Sequence, residues 1–366
     1  MAGQGRLGYI DQFRGLIIVF MALDHASYYF NAAWRSLDPL DPCFDTRAQA
    51  LLRYIPYLCA PGFLLMNGAM VWWAYRRRRE NGVSDGRARW DLYQRGLFLI
   101  AFQLVWVNAS WGGFARLRLD HFGIIACIGG SMILLTAIIT WPWWSRLLLA
   151  AAILVAHPFL LTIPYDLKGP LHVPMQMFID AGDFNKYPVL PWFAVALCGS
   201  VMARFWFDRW RQPRETVGKS VVIGLLLMAV GVAVRAGRGF GNIFSYGEIG
   251  SWSFFFDQKY PPSLYFQLWW LGISILLVGL FCWLDQRSRI LSRTGLETVG
   301  KVSLFYYGMH IALLAIFTRR LGLFYHEGGV LSSYLGWIAL LIVMYPLCRW
   351  YAAVKRRSRL WLVRMI

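Results

Sequence analysis

Charge is what this sequence has least of. Only 15% of its 366 residues are Asp, Glu, Lys or Arg, where a soluble domain carries about a quarter. No stretch is long and polar enough to make a separate soluble domain, so residues 1–366 read as a single unit. Cysteine is sparse as well, with six in all. They lack CxxC or clustered Cys/His spacing, which excludes a zinc or iron–sulfur framework and predicts no metal site. Cys43 falls in a loop and Cys59 near a helix end, so no disulfide scaffold is expected. Cys127, Cys198, Cys282 and Cys348 read as small apolar core residues. No basic segment with a small-residue cleavage site opens the chain, so no signal peptide is expected. Repeats of fixed period are missing too, which counts against a transporter built from inverted halves.

What is present is apolar. Hydrophobic residues make up 58% and aromatics 17%, with a mean hydropathy of +0.46. Trp and Tyr at this density suit bilayer interfaces. Runs of spanning length, about 20 residues each, fall near 10–30, 54–75, 95–112, 122–140, 146–164, 188–206, 219–236, 262–284, 302–318 and 331–353. The expected fold is all-α, a polytopic integral membrane protein of about ten transmembrane helices. Assigning each charged residue to the nearer side puts 25 Lys+Arg and 8 acids on one side, net +17, and 12 against 11 on the other, net +1. "RRRRENGVSDGRAR", "RFWFDRWRQPRETVGK", "DQRSRILSRTGLETVGK" and "VKRRSRLWLVR" all share the basic side. Cytoplasmic loops carry such an excess, which predicts both termini inside. The formal charge of +18 is thus spread along a membrane face, with no basic face on a folded domain for nucleic acid.

Three long connections, near 31–50, 165–187 and 236–263, fall on the outer side and are rich in aromatics. Loops of that length are commonly functional, and these are expected to fold over the outer mouth of the bundle.

The first apolar run, "DQFRGLIIVFMALDH", holds Asp11, Arg14, Asp24 and His25. At about 100° per residue, Arg14 and His25 point within ~20° of each other and stand about 16 Å apart along the axis. Asp11 joins the same stripe, one turn before Arg14. An elongated molecule entering from the cytoplasm would meet Arg14 with its charged end and His25 with its far end. A snorkelling anchor also accounts for Arg14, and a packed core histidine for His25. Their combination favours function, because ionisable groups inside spans are costly. Asp24, about 100° from His25, is expected to face another helix.

The same segment resembles the Arg-x10-His opening helix of transmembrane acyltransferases. "RYIPYLCAPGFLLMNGAMVW", "KYPVLPWFAVALCGSVMAR", "KYPPSLYFQLWWLGISILL" and "GKVSLFYYGMHIALL" are similar to bacterial relatives of heparan-α-glucosaminide N-acetyltransferase. The resemblance implies a bacterial inner-membrane protein of the cell envelope. Its reaction would be transfer of an acyl group, acetyl above all, from cytoplasmic acyl-CoA to a sugar or glycan hydroxyl or amine outside. It also implies a catalytic role for His25 as base or acyl carrier, and donor support from Arg14 and Asp11. The expected partners are lipid, acyl-CoA and the glycan acceptor; a homodimer is compatible with the sequence.

Thioester chemistry needs a base and a donor to the developing oxyanion, without a metal. Asp24, Asn67, Tyr306, Tyr307 and His310 are the intramembrane candidates for pocket or oxyanion roles, although packing accounts for Asn67 and His310 equally well. Lys259 and Tyr260, just before the eighth span, are candidates for the acceptor side. Asp120 beside His121 reads as a helix N-cap. A competing class is a permease using Asp11, Arg14 and His25 as a substrate or proton path.

Overall fold

The computed structural model describes residues 8–35, 46–115, 119, 121–210, 212–287 and 295–366; Cys43 and Asp120 lie outside them. The described residues form an all-helical structure without named strands. In chain order the helices are α1 (Gly8–Phe30), α2 (Arg47–Tyr54), α3 (Cys59–Glu80), α4 (Asp85–Phe102), α5 (Asn108–Trp111), α6 (Ile124–Ala137), α7 (Trp143–Leu160) and α8 (His172–Phe178). They continue as α9 (Val189–Arg204), α10 (Pro213–Ala236), α11 (Trp252–Phe255), α12 (Leu264–Arg287), α13 (Leu296–Lys301), α14 (Ser303–Ala315), α15 (Val330–Arg357) and α16 (Trp361–Met365).

Helix occupies each of the ten apolar segments. Six helical stretches are long and apolar enough to cross a membrane: Arg47–Glu80, which joins α2 to α3, then α7, α9 extended to Arg209, α10, α12 and α15. The apolar α6 is shorter, and charged residues interrupt α1 and α4. The helix over 122–140 starts at Ile124 with Gly123 at its cap, so the capping position is not residue 120.

Close crossings hold the bundle. A Cβ on Gly68 of α3 would stand 1.8 Å from the Ala196 carbonyl oxygen, and one on Gly199 of α9 2.0 Å from that of Leu65. The same reciprocity joins Gly15 of α1 to Leu296 (2.1 Å) and Gly300 of α13 to Asp11 (1.8 Å). In lipid, where apolar surface gains nothing by leaving the solvent, such backbone contact is a main source of helix association. The α1–α13 crossing also fixes the start of α14 beside Arg14.

At the opposite end, the buried pair Arg235–Asp257 (3.3 Å) folds the 237–263 connection onto the bundle. Arg235 donates to the carbonyls of Phe244, Ser253, Phe254 and Phe256. The Asp257 carboxylate accepts from the N–H groups of Phe244 and Gln258, each at 2.8 Å. Buried charges are tolerated when paired and hydrogen-bonded this fully. Lys259 and Tyr260 follow directly, ahead of a cis Tyr260–Pro261 peptide.

Candidate active site

Two cavities open along α1. The larger, ≈ 320 Å³, is lined by Asp24 and His25 together with Arg53, Lys186, Lys259 and His121. The smaller, ≈ 130 Å³, is lined by Arg14, Arg95, Ser303 and Asn67. Met21, Phe63, Ile124 and Tyr307 border both. These four side chains form the wall, or neck, between the Arg14 end and the His25 end of the bundle.

At the first end, Arg14 donates to Asp11 Oδ1 (3.3 Å) and to Ser303 Oγ (2.7 Å). Its guanidinium is thereby aimed while keeping partial access, with 20% of the side chain exposed. Arg95 brings a second cation to the same cavity. Asn67 donates to the Ile128 carbonyl (3.3 Å), which places it on this side of the neck and away from His25.

At the other end, His25 Nδ1 lies 2.7 Å from His310 Nε2, and His310 Nδ1 lies 2.8 Å from the Tyr306 carbonyl oxygen. The two imidazoles are within 7° of coplanar with centroids 4.9 Å apart. That separation, with a nitrogen contact so short, describes rings joined end to end by a hydrogen bond and not stacked face to face. The remaining edges of His25 meet Trp111 (5.0 Å, 72°) and Tyr307 (6.2 Å, 75°). His310 is wholly buried. The Tyr306 side chain lines neither cavity; its carbonyl makes the contact that matters.

Trp111 reaches His25 because a π-helical turn, Gln103–Val107, separates α4 from α5; such turns often accompany functional sites. Gln103 accepts from Ile125 N–H (3.2 Å) and donates to Asn108 Oδ1 (2.9 Å). Asn108 donates in turn to the His121 carbonyl (2.9 Å). Those buried amides inside an apolar run were the available sign of this arrangement.

The long connections supply the rest of the large cavity. Lys259 is buried, with its ammonium 5.0 Å from the Tyr260 ring and 5.7 Å from that of Tyr57. Burial works against its charge, but Tyr260 and Asp24 outweigh it and hold the pKa above the usual lysine value. Tyr260 and Tyr187 join hydroxyls at 2.8 Å. Arg53 donates to Tyr57 Oη (3.3 Å). Asp24 and His25 line the same cavity despite their angular separation, because its wall wraps more than a quarter of the circumference of α1. His157 and His172 stand elsewhere, bonded to Ile179 O and Asp183. Among the described residues no three His, Cys, Asp or Glu side chains gather to hold a metal ion.

The helices define a membrane protein, and its polar residues gather at two cavities that meet inside the bundle. The profile of the family described as heparan-alpha-glucosaminide N-acetyltransferase, catalytic, matches residues 6–233. The chain belongs to that family and is a membrane protein of acetyltransferase type. The match contains Arg14, Asp24, His25, Asn67 and Arg95, and ends before Lys259 and His310. A comparison with curated proteins found no match.

Proposed function

We propose that the protein transfers an acyl group, acetyl in the first instance, from cytoplasmic acyl-CoA to a sugar or glycan hydroxyl or amine on the far side of the membrane. The observation that carries this reading is the pair of cavities on α1, one holding Arg14 and the other His25, with a common wall. Ten spans with both termini cytoplasmic accompany it, supported by the +17 to +1 division of charge and placing the Arg14 end inside. Arg14, oriented by Asp11 and Ser303, takes the anionic end of the donor together with Arg95, since guanidinium groups suit phosphate. The thioester crosses the neck and reaches His25. There the imidazole removes the acceptor's proton or carries the acyl group. Aromatic walls with Asp24, Lys259 and Tyr260 among them suit a sugar ring, apolar on its faces and polar at its rim.

The test uses the purified full-length protein in nanodiscs with radiolabelled acetyl-CoA and a panel of amino sugars and glycans. Release of CoA matched by labelled acceptor is expected, and His25→Ala should reduce it ~10²–10⁴-fold with acetyl-CoA affinity retained. Normal transfer by a folded His25→Ala protein would remove His25 from the chemistry. Passage of solute through proteoliposomes without CoA release would mark a permease instead.

A further inference from the structure

A carbonyl oxygen only accepts hydrogen bonds, so the Tyr306 contact requires the hydrogen of His310 to be on Nδ1. A neutral imidazole has one N–H, which leaves His310 Nε2 as an acceptor. The atom facing it at 2.7 Å, His25 Nδ1, must then be the donor. His25 is left with its lone pair on Nε2, in a side chain that lines the large cavity. One backbone carbonyl on α14 thus sets the tautomers of two histidines on different helices. This follows the general rule that the bond made by one ring nitrogen decides the state of the other.

We infer that His310 is a positioning residue, presenting His25 with its bare Nε2 toward the acceptor and taking up the His25 Nδ1 proton during transfer. The inference rests on the acyl-transfer reading above. As the acceptor oxygen or nitrogen bonds to the thioester carbon, its proton moves to His25 Nε2 and the carbonyl π pair becomes the oxyanion. The imidazolium so formed passes its Nδ1 proton along the coplanar bond to His310 Nε2. His310 then carries the charge, still donating Nδ1–H to Tyr306. When the oxyanion collapses, the C–S bond breaks and the thiolate leaves with the electron pair. His310 returns its proton to His25 Nδ1, and His25 gives the Nε2 proton to sulfur. The products are acylated acceptor and CoA thiol, and both histidines regain their starting states. A histidine serving packing alone would need only the bond to its own helix; here the second nitrogen is aimed at the cavity histidine of another helix.

Two readouts test this on the full chain in nanodiscs. The first is ¹⁵N NMR of histidine-labelled protein without donor, with signals assigned by single His→Gln variants. It should show His25 protonated at Nδ1 and bare at Nε2, and His310→Ala should convert His25 to a mixture of tautomers. His25 protonated at Nε2 in the wild type would overturn the inference whatever the activity. The second is turnover. His310→Ala should lower kcat ~10²-fold or more with acetyl-CoA Kd unchanged. His310→Gln, whose amide oxygen can accept from His25 Nδ1 but cannot take its proton, should recover about tenfold of that loss. Wild-type turnover in His310→Ala would overturn the relay alone. A wild-type protein that binds acetyl-CoA but acylates no acceptor would overturn the functional reading, and the relay with it.

Discussion

Arg14 and His25 stand eleven residues apart on α1 and open into different cavities, separated by the side chains of Met21, Phe63, Ile124 and Tyr307. On the proposed function, donor binding and transfer fall on either side of this neck and can be disturbed one at a time.

Arg14→Ala and Arg95→Ala should each weaken acetyl-CoA binding about tenfold or more, the worth of a hydrogen bond to a charged group. Titration calorimetry in detergent at low salt is the direct measure. Full affinity in both variants would make these residues membrane anchors only.

Ile124→Trp should fill the neck. Donor affinity at the Arg14 end should stay within about threefold, while transfer falls on the order of 10-fold or more because the thioester is held short of His25. Equal losses in binding and transfer would show that the donor does not pass this wall.

Transfer should decline as pH falls. A proton taken up at low pH occupies His25 Nε2, the atom that must receive the acceptor's proton, while the 2.7 Å bond between His25 Nδ1 and His310 Nε2 is retained. Asp24, Arg53, Cys59, His121, Lys186 and Lys259, with the hydroxyls of Tyr28, Tyr57, Tyr187, Tyr260 and Tyr307, are the other titratable groups lining this cavity. The Lys259 pKa is raised above the usual lysine value, so its charge persists at neutral pH and is lost only above the ordinary lysine range. The acid limb should disappear in His25→Ala and the alkaline limb in Lys259→Met. A kcat profile measured from pH 5 to 11 checks both.

Gly199→Val should destabilise the protein by about 3 kcal/mol, because the new Cβ meets the Leu65 carbonyl and only separation of α3 from α9 relieves it. Gly218→Ala is the control: nothing lies within 4 Å of its Cβ position, and a helix-interior alanine stabilises by up to about 1 kcal/mol. Thermal unfolding followed by tryptophan fluorescence compares the two.

The sequence alone determined the class of fold and the alignment of Arg14 with His25 along α1. The apolar runs are helical, the one local conformation by which a membrane segment satisfies its own backbone hydrogen bonds, and six of the helical stretches are long and apolar enough to span. Helical periodicity along α1 puts Arg14 and His25 on one stripe, and both depend only on neighbours in the chain. Tertiary structure decided the partners. His310 comes from a helix 285 residues further on, Ser303 from the turn beyond the Gly15–Gly300 crossing, and Trp111 from behind a π-helical turn. Their placement depends on how helices cross, and crossings are set by glycines whose importance lies in the absent side chain and in the backbone they meet. Asp24 illustrates the same limit: its angle on α1 was legible, but the width of the cavity that includes it was not. The tautomer of His25 is the furthest from the sequence, since it depends on a carbonyl of Tyr306, a group that every residue possesses and only the fold can aim.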